Sequence, residues 1–356
     1  MRIALIAPPF IPVPPICYGG TELFVAHLAE GLTQLGHEVV VYANGESTVA
    51  TEVRWYYRHT MWPPTGNFSE TLKEVTHTTW AIQDASETCD VIHLNNTVGL
   101  PYSHFVNVPF VCTIHHPHEE GLSEFYSQYP EINYVTIAEH CREQEPMPNV
   151  RTIHHGINIS HYQFSSKKQL YLSFLGRIVP VKGVHLAIEV AKRAGIPLKI
   201  AGEVQPMFRD YFEQKIKPHI DGRFIEYIGE ADFKTKNDLL SNSMALLFPI
   251  EWDEPFGLIM IEAMACGTPV LALSQGSVPE VVSDGISGYI CASLEEMIKR
   301  MPDLDKLKPA IVRQYAEEHF SVERMASSYA ELYSSVVDEQ VPGQLSELTE
   351  IEHPMA

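Results

Sequence analysis

Residues 254–270 read EPFGLIMIEAMACGTPV, which is the most informative pattern in the chain. An apolar strand and a loop precede a helix, and the periodicity predicts that this helix begins near Phe256. Because Gly257 has no side chain, the amide groups at the helix start can approach an anion, and the helix dipole favours a phosphate there. Glu254 and Glu262 flank this position, where carboxylates suit sugar hydroxyls on either side of a diphosphate.

A second pattern that suits phosphate lies earlier in the chain. Arg177 ends a predicted strand and Lys182 opens the following helix. An arginine forks to two phosphate oxygens and a lysine supplies a point charge, so the pair can converge on one diphosphate. Near the start of the chain, Gly19 and Gly20 end a proline-rich loop, where glycine allows the backbone to approach a ligand.

Apolar strands and amphipathic helices alternate through the chain, which predicts parallel sheets with right-handed crossovers. The pattern loosens into polar residues after the last front strand, so we predict two α/β domains, 1–160 and 161–320. An amphipathic segment, 321–337, is predicted to be a final helix, and the acidic tail, 338–356, to be disordered. The predicted strands are Arg2–Ala7, Glu38–Tyr42, Asp90–Leu94, Phe110–His115, Tyr134–Ala138, Val150–Ile153, Tyr171–Leu175, Leu198–Ala201, Phe224–Tyr227, Met244–Pro249, Pro269–Ala272 and Gly288–Ile290.

The composition excludes several classes of function. Of the 356 residues, 45% are hydrophobic and 20% charged, which is typical of a folded chain of two domains. The formal net charge of −20 argues against nucleic acid and anionic membranes as partners. Six scattered cysteines form no C-x-x-C pair, which indicates free thiols. With no signal peptide and no long apolar run, we expect a cytoplasmic protein without stable membrane association.

On these residues the sequence resembles the retaining glycosyltransferases of family 4, which have the GT-B fold. The spacing of Glu254 and Glu262, the residues between them and the ending at Val270 all match that family. The segment from Pro12 to Glu22 resembles a short bacterial branch that includes antibiotic-type glycosyltransferases. The resemblance extends over nearly the whole chain, with further matches at Gly19-Gly20, Asp90-Val91-Ile92-His93, Thr113-Ile114-His115, His155-Gly156-Ile157, Gly176-Arg177, Lys182-Gly183 and Pro279-Glu280.

The resemblance implies two Rossmann-like domains that face each other across a cleft, with a C-terminal helix that crosses back to the first domain. The first domain would bind the acceptor and the second a nucleotide-diphosphate sugar. Arg177, Lys182 and the helix start at residues 256–258 (Phe256, Gly257 and Leu258) would stabilise the leaving diphosphate. Glu262 would hold the ribose hydroxyls, and Glu254 would contact the donor sugar.

Several further residues take an expected role from their position at strand ends. The resemblance implies that Gly19 and Gly20 meet the donor phosphate and that His115 contacts the transferred sugar. Ile228 is expected near the nucleotide base through its backbone. A second group at a strand end is expected to line the acceptor pocket, although a structural role fits them equally well: His93, Asn95 and Asn96.

The chain departs from the family pattern at three positions. His116 stands where the family often has Asp, so its role is open. His155 and Asn158 replace an Asn and an Asp, which weakens any side-chain role there. Asp303 and Asp305 form a D-x-D pair like the metal motif of another glycosyltransferase fold, but their place late in the chain favours a helix start.

The expected function is therefore sugar transfer, with retention, from a nucleotide-diphosphate sugar to a hydroxyl group, without a metal ion or a further cofactor. A UDP-sugar is the favoured donor. Residues 1–160 hold 17 acidic and six basic residues, a net charge of −11, so a soluble acceptor that is neutral or cationic is expected. The alternatives are a sugar-nucleotide epimerase on the same fold and a non-catalytic protein that binds sugar nucleotides.

Overall fold

Two parallel β-sheets organise the chain, one of seven strands and one of six. The computed structural model describes residues 1–17, 19–62 and 67–339. Helices cover both faces of each sheet, which confirms the predicted α/β architecture with two Rossmann-like domains. The predicted disordered tail lies outside the described residues, except that Asp338 and Glu339 belong to the last helix.

The first sheet is fully parallel and has the order β3-β2-β1-β4-β5-β6-β7. Both faces of its central strands are covered, and β1 is continuously apolar after Arg2, as the sequence suggested, whereas β4 is fully buried and contains one polar residue, His93. The sequence pattern does not predict β3, because this edge strand alternates polar residues that pair with one another and with Arg2. The strands are β1 (Arg2–Ile6), β2 (Glu38–Ala43), β3 (Glu52–Trp55), β4 (Val91–Leu94), β5 (Phe110–Ile114), β6 (Asn133–Thr136) and β7 (Val150–Thr152).

The second sheet is also parallel, with the order β10-β9-β8-β11-β12-β13. The strand order reverses between β8 and β11 here, and between β1 and β4 in the first sheet. Such points open a crevice at the carboxyl ends of the strands, where open α/β sheets bind ligands. The strands are β8 (Leu172–Leu175), β9 (Leu198–Ala201), β10 (Ile225–Tyr227), β11 (Ala245–Phe248), β12 (Val270–Leu273) and β13 (Gly288–Cys291).

Helices connect successive strands. The predicted helix start at Phe256 is wrong by two residues, because Gly257 has a φ of 77° and the helix begins only at Leu258. The helices are α1 (Gly20–Gln34), α2 (Phe68–Ser86), α3 (Glu120–Tyr126), α4 (Glu139–Arg142), α5 (Val184–Ala194), α6 (Arg209–Tyr211), α7 (Phe233–Asn242), α8 (Leu258–Ala265), α9 (Val278–Val281), α10 (Leu294–Arg300), α11 (Pro309–His319) and α12 (Val322–Glu339). Within the described ranges, no helix combines the length and apolarity needed to cross a bilayer.

The final helix, α12, leaves the second domain and packs on α1 of the first, as the resemblance implied. The two helices approach closely at Gly31, where a Cβ would lie 2.6 Å from the Cβ of Ala326. The apolar stripe of α12 is buried in the first-domain core. Its two tyrosines also find polar partners there: Tyr333 bonds His93 at 2.7 Å, and Tyr329 bonds Thr113 at 2.9 Å.

A carboxylate of the second domain also joins the two domains. Glu280, on α9, accepts hydrogen bonds from the backbone N–H groups of Glu139 and His140 at 2.7 and 2.6 Å. Its Oε2 also lies 3.0 Å from Nε2 of His154. Burial opposes ionisation of Glu280, but these bonds outweigh that effect and hold the pKa of the carboxyl below its usual value.

We expect Glu280→Gln to lower stability at neutral pH by about 1–3 kcal/mol, the cost of losing charged hydrogen bonds. Because the pKa of Glu280 is lower in the folded state, its contribution is present above 4.5, the usual carboxyl value, and is lost as pH falls through the folded pKa. Thermal unfolding measured over this pH range should therefore bring variant and wild type together at acidic pH. A constant difference down to acid would contradict this account.

Candidate active site

The two sheets face each other across a cavity of about 1120 Å³. Its wall is formed by the segments that follow the carboxyl ends of β1 and β5 in the first domain and of β8, β9 and β11 in the second. These segments include both reversal points of strand order, so the sheet topology explains why the cavity lies there.

Lys182 and Glu254 form an ion pair in the second-domain wall. They lie on the loops after β8 and β11, which are adjacent strands, so the loops emerge side by side. Lys182 donates to Oε2 of Glu254, and Trp252 Nε1 donates to the same oxygen at 2.7 Å. The ammonium also lies 4.7 Å from the centre of the Trp252 ring. Burial lowers the pKa of Lys182, and the carboxylate of Glu254 opposes that shift.

Glu262 forms a second buried ion pair, with Lys236. It lies on α8, and its Oε1 accepts from the hydroxyl of Tyr162 at 2.8 Å and from the ammonium of Lys236. The two carboxylates therefore share one arrangement: two donors hold one oxygen of each. Within the described residues, no group donates to Oε1 of Glu254 or to Oε2 of Glu262.

The start of α8 lies between these two carboxylates. Gly257 is the N-cap in a left-handed conformation, with φ 77° and ψ 64°, which favours glycine. The residues around it, Phe256 and Leu258, also line the cavity. Gly276 allows this loop to pack tightly, because a Cβ there would lie 2.4 Å from the backbone nitrogen of Glu254. Arg177, on the loop after β8, lines the same cavity.

The first domain contributes its glycine loop to the opposite wall. Gly19 and Gly20 both line the cavity at the start of α1. Gly19 has a φ of 151°, and a Cβ there would lie 2.8 Å from the Cβ of Pro15. A side chain at Gly19 would therefore clash within its own loop, whereas Gly20 has open space around it.

His115, at the end of β5, reaches the same cavity. Its Nε2 lies 2.9 Å from Oδ1 of Asn95, and its ring stacks on His155 with centroids 5.6 Å apart. Burial lowers the pKa of His115 to about 3, and it also lowers the pKa of His155. Both rings are therefore neutral at physiological pH. Nδ1 of His155 is buried and has no hydrogen-bond partner among the described groups.

The structure corrects the expectation that three strand-end residues line the acceptor pocket, because none of them lies on the cavity wall. His93 is fully buried between Thr113 and Tyr333, where it joins α12 to the first sheet. Asn95 orients His115 and donates to the Ile6 carbonyl oxygen, and Asn96 donates to Thr78.

Ile228 is likewise absent from the described cavity wall. Its backbone nitrogen donates to the Ile200 carbonyl oxygen at 2.9 Å, as part of the sheet.

The structure also explains two departures from the family pattern. His116 bonds the Tyr126 hydroxyl and the Pro117 carbonyl oxygen. Asn158 caps a short turn through the Ser160 nitrogen and donates to Glu30.

The D-x-D pair lies in a short 3₁₀ helix, Met301–Lys306, in agreement with the expected helix start. Asp303 pairs there with Lys306 at 2.5 Å. Among the described residues, no three His, Cys, Asp or Glu side chains come together as metal ligands. All six cysteines are free thiols, and only Cys17 is exposed.

Sequence reasoning missed the residues that hold the two carboxylates. Lys236 and Tyr162 hold Glu262, and Trp252 holds Glu254, yet none of them lies in a recognisable motif. Trp252 is two residues from Glu254, which is the only signal that could have drawn attention to it. Lys236 lies on α7. Its side chain reaches Glu262 only because α7 packs against α8.

Comparison with known proteins agrees with this architecture. Residues 18–161 match the family described as Glycosyltransferase Family 4, and residues 158–310 match Glycosyl transferases group 1. A glycosyltransferase of Methanocaldococcus jannaschii, MJ1607, is 25% identical over 345 residues, covering 81% of this chain and 84% of the relative.

Two solved structures share the fold. One is AviGT4, a glycosyltransferase involved in avilamycin A biosynthesis, with a TM-score of 0.70, 23% identity and coverage of 95% of this chain and 98% of that one. The other is Anabaena Alr3699/HepE in complex with UDP and glucose, with a TM-score of 0.74, 18% identity and coverage of 94% and 100%. With two family matches that together span both domains, the chain belongs to the family 4 glycosyltransferases of the GT-B fold.

Proposed function

We propose that the protein transfers a sugar from a nucleotide-diphosphate sugar to a hydroxyl group of a soluble acceptor, with retention at the anomeric carbon. A UDP-sugar is the favoured donor. Residues 161–320 bind the donor and residues 1–160 the acceptor. The observation that carries the proposal is the pair of carboxylates, Glu254 and Glu262, that flank a helix start beside Lys182 and Arg177.

The positive groups at this position match a leaving diphosphate. An ammonium has three N–H donors, so Lys182 can hold Glu254 with one and phosphate oxygens with the others. Arg177 and the amide groups at the start of α8 add further donors from the same wall. Donors fixed in place before the reaction stabilise charge as it develops, and so the proposal requires no metal ion.

The unpaired carboxylate oxygens match the hydroxyl groups of the donor. Oε1 of Glu254 contacts the transferred sugar, and Oε2 of Glu262 accepts from the ribose. In each residue, the donors on the other oxygen hold the carboxylate in position. Support for UDP comes from HepE, a relative in fold whose structure contains UDP and glucose.

The reaction that follows from this arrangement is attack on the face that the diphosphate leaves. The acceptor oxygen forms a bond to the anomeric carbon as the bond to the diphosphate oxygen breaks. The acceptor proton passes to the departing phosphate oxygen, so no carboxylate has to act as nucleophile. The neutral ring of His115 lies across the cavity, and because its Nε2–H donates to Oδ1 of Asn95, its Nδ1 can accept a hydrogen bond from a hydroxyl of the transferred sugar.

The direct test begins with a thermal-shift screen of UDP, GDP and dTDP, each with magnesium and with EDTA. Candidate sugar nucleotides are then incubated with acceptors, and the products are identified by mass spectrometry and by the anomeric coupling constant in NMR. We expect nucleotide release and a retained glycoside in EDTA. Formation of an epimerised sugar nucleotide without an acceptor and without free nucleotide would instead identify an epimerase.

Glu262→Gln should weaken UDP binding by about 10- to 100-fold, because a charged hydrogen bond to the ribose becomes a neutral one. Isothermal titration calorimetry would measure this change. The matched control is Glu213→Gln, an exposed carboxylate of the same domain that pairs with Lys217. Equal UDP affinity in both variants would exclude the ribose contact.

A further inference from the structure

Behind the second-domain wall of the cavity, one guanidinium group joins two separate backbone segments. Arg313, on α11, donates through Nη1 to the carbonyl oxygens of Tyr162 and Ala265 at 3.0 and 2.9 Å, and through Nη2 to that of Ile159 at 3.2 Å. Its Nε donates to Glu317 at 2.7 Å, so a carboxylate one turn along the same helix orients the group. The rigid fork of an arginine suits such a set of acceptors, because it holds them all in one fixed geometry.

The first of these segments leads to Glu262 through Tyr162. The carbonyl oxygen of Tyr162 accepts from Arg313, and its hydroxyl donates to Oε1 of Glu262 at 2.8 Å. The tyrosine is buried, and its ring packs edge-on against Phe233 with centroids 5.4 Å apart. Because the ring cannot turn freely, a fixed backbone at Tyr162 also fixes the position of the hydroxyl that holds Glu262.

The second segment leads to Glu262 through its own helix. Ala265 is the last residue of α8 and lies three positions after Glu262. The last carbonyl groups of a helix have no partner within the helix, and a cation near them is favoured by the helix dipole. With only eight residues, α8 depends on such tertiary contacts for its orientation. Arg313 therefore fixes the end of the helix on which Glu262 lies.

These contacts have no substitute among the described residues. No other described group donates to the carbonyl oxygens of Tyr162 and Ala265. Removal of the guanidinium leaves both oxygens without a donor, and the two segments lose their common attachment. Glu262 is then displaced from two sides at once.

The opposite end of α8 is held independently of Arg313. Ser277 donates through its backbone nitrogen to the carbonyl oxygen of Glu254 and through its hydroxyl to that of Phe256, both at 3.0 Å. The helix start, to which the proposed function assigns the diphosphate, therefore keeps its position when the other end is released.

We propose that Arg313 is a positioning residue for nucleotide binding, which holds Glu262 where its Oε2 meets the ribose. Arg313 is not among the described residues that line the cavity, so it acts on the nucleotide only through Tyr162 and α8. The consequence is specific: loss of Arg313 weakens the contact with the ribose hydroxyls and spares the contacts with the diphosphate. This inference rests on the proposed function, since it concerns the ribose contact of the same donor site.

The test compares UDP with 2′,3′-dideoxy-UDP, which lacks the two ribose hydroxyls. Isothermal titration calorimetry gives both dissociation constants for the wild type, Arg313→Lys and Arg313→Met. We expect Arg313→Met to weaken UDP binding about tenfold, as for the loss of a charged hydrogen bond, and to leave the dideoxy compound within about twofold of wild type. Arg313→Lys keeps the charge without the fork and should lose part of the preference for UDP.

Two controls separate positioning from a general loss of structure. In a Glu262→Gln background, Arg313→Met should cost less than about a further twofold in UDP affinity, because coupled residues are not additive. Arg193→Met, at an exposed arginine of α5 that pairs with Glu189 and Glu295, should leave both affinities unchanged. The ratio of the two dissociation constants is taken within one sample, so a partly unfolded fraction does not alter it. If Arg313→Met does not fold, Arg313→Lys decides.

An equal loss of affinity for both nucleotides, or an unchanged preference for UDP in both Arg313 variants, would overturn the inference. Failure of the proposed function has a different signature, because the wild type would then bind neither nucleotide or bind both equally. In that case hydrogen exchange on the nucleotide-free protein decides whether Arg313 holds α8. Exchange in residues 258–265 should be faster in Arg313→Lys than in wild type and unchanged in α5, and equal rates in α8 would overturn the inference.

Discussion

Lys182→Met is expected to lower kcat by about 10²- to 10³-fold, the usual effect of removing one fixed donor from developing negative charge. Methionine keeps the length and apolar volume of the lysine stem, so it fills the same space beside Trp252. It removes the ammonium that the proposed mechanism assigns to the leaving diphosphate. Steady-state kinetics with the donor found in the nucleotide screen would measure the loss.

The Lys182 variant also leaves the carboxylate of Glu254 without its cation, in a side chain that is only 9% exposed. Breaking such a pair from one side destabilises the fold, whereas removing both charges is far less costly. The double variant Lys182→Met, Glu254→Gln should therefore regain thermal stability without regaining activity. Lys299→Ala, at an exposed lysine of the same domain, serves as the control for a change of net charge.

Recovery of activity in the double variant would show that Lys182 acts only through the stability of the loop. Unchanged kcat in the single variant would remove Lys182 from the proposed mechanism altogether. Because stability and activity are expected to respond differently, the two measurements together distinguish a catalytic from a structural role.

Gly183→Ala is expected to destabilise the second domain by about 3–5 kcal/mol, the sum of left-handed backbone strain and a forced displacement. Gly183 has a φ of 72°, and a Cβ there would lie 1.9 Å from the carbonyl oxygen of Pro249. Neither group can move freely, because Gly183 is the N-cap of α5 and Pro249 directly follows β11. At about 2–4 °C per kcal/mol, the unfolding midpoint should fall by roughly 10 °C.

The opposite end of α5 provides a matched control. Gly195 has nearly the same backbone conformation, with φ 68°, but a Cβ there meets nothing within 4 Å. Gly195→Ala should cost only the left-handed strain, about 1–2 kcal/mol. Equal midpoints for the two variants, measured by circular dichroism, would show that the contact with Pro249 relaxes without cost.

Much of the architecture follows from local sequence patterns. The buried strands are apolar runs bounded by turn residues, and all twelve predicted strands coincide with strands of the two sheets to within two residues at each end. The edge strand Glu52–Trp55 is missed because it carries charged residues that form ion pairs within the strand and with Arg2, so it lacks the apolar pattern of the buried strands. The start of α8 is displaced because Gly257 adopts a left-handed conformation that periodicity does not report.

The residues of the candidate site also fall into those that local sequence patterns predicted and those that they did not. Residues within continuous motifs lie on the cavity wall as predicted by position: Gly19, Gly20, His115, Arg177, Lys182, Glu254, Phe256, Gly257, Leu258 and Glu262. Their chemical roles stay predictions until the variants above are measured. Predictions that relied only on a residue's position at a strand end were less reliable. His93 is buried and hydrogen-bonded in the first domain, Ile228 packs against a small apolar cluster, and neither lines the cavity.

The amino-acid sequence by itself determined the two-domain fold, the loops for which phosphate binding is predicted and the excess of acidic residues in the front half. These properties depend on local patterns and on composition, so the amino-acid sequence alone reveals them. The partners of each carboxylate were decided only by the tertiary structure: Lys182 and Trp252 for Glu254, and Lys236 and Tyr162 for Glu262. Helix packing and sheet order bring these side chains together from distant parts of the chain. The spacing of residues along the sequence therefore does not predict these contacts.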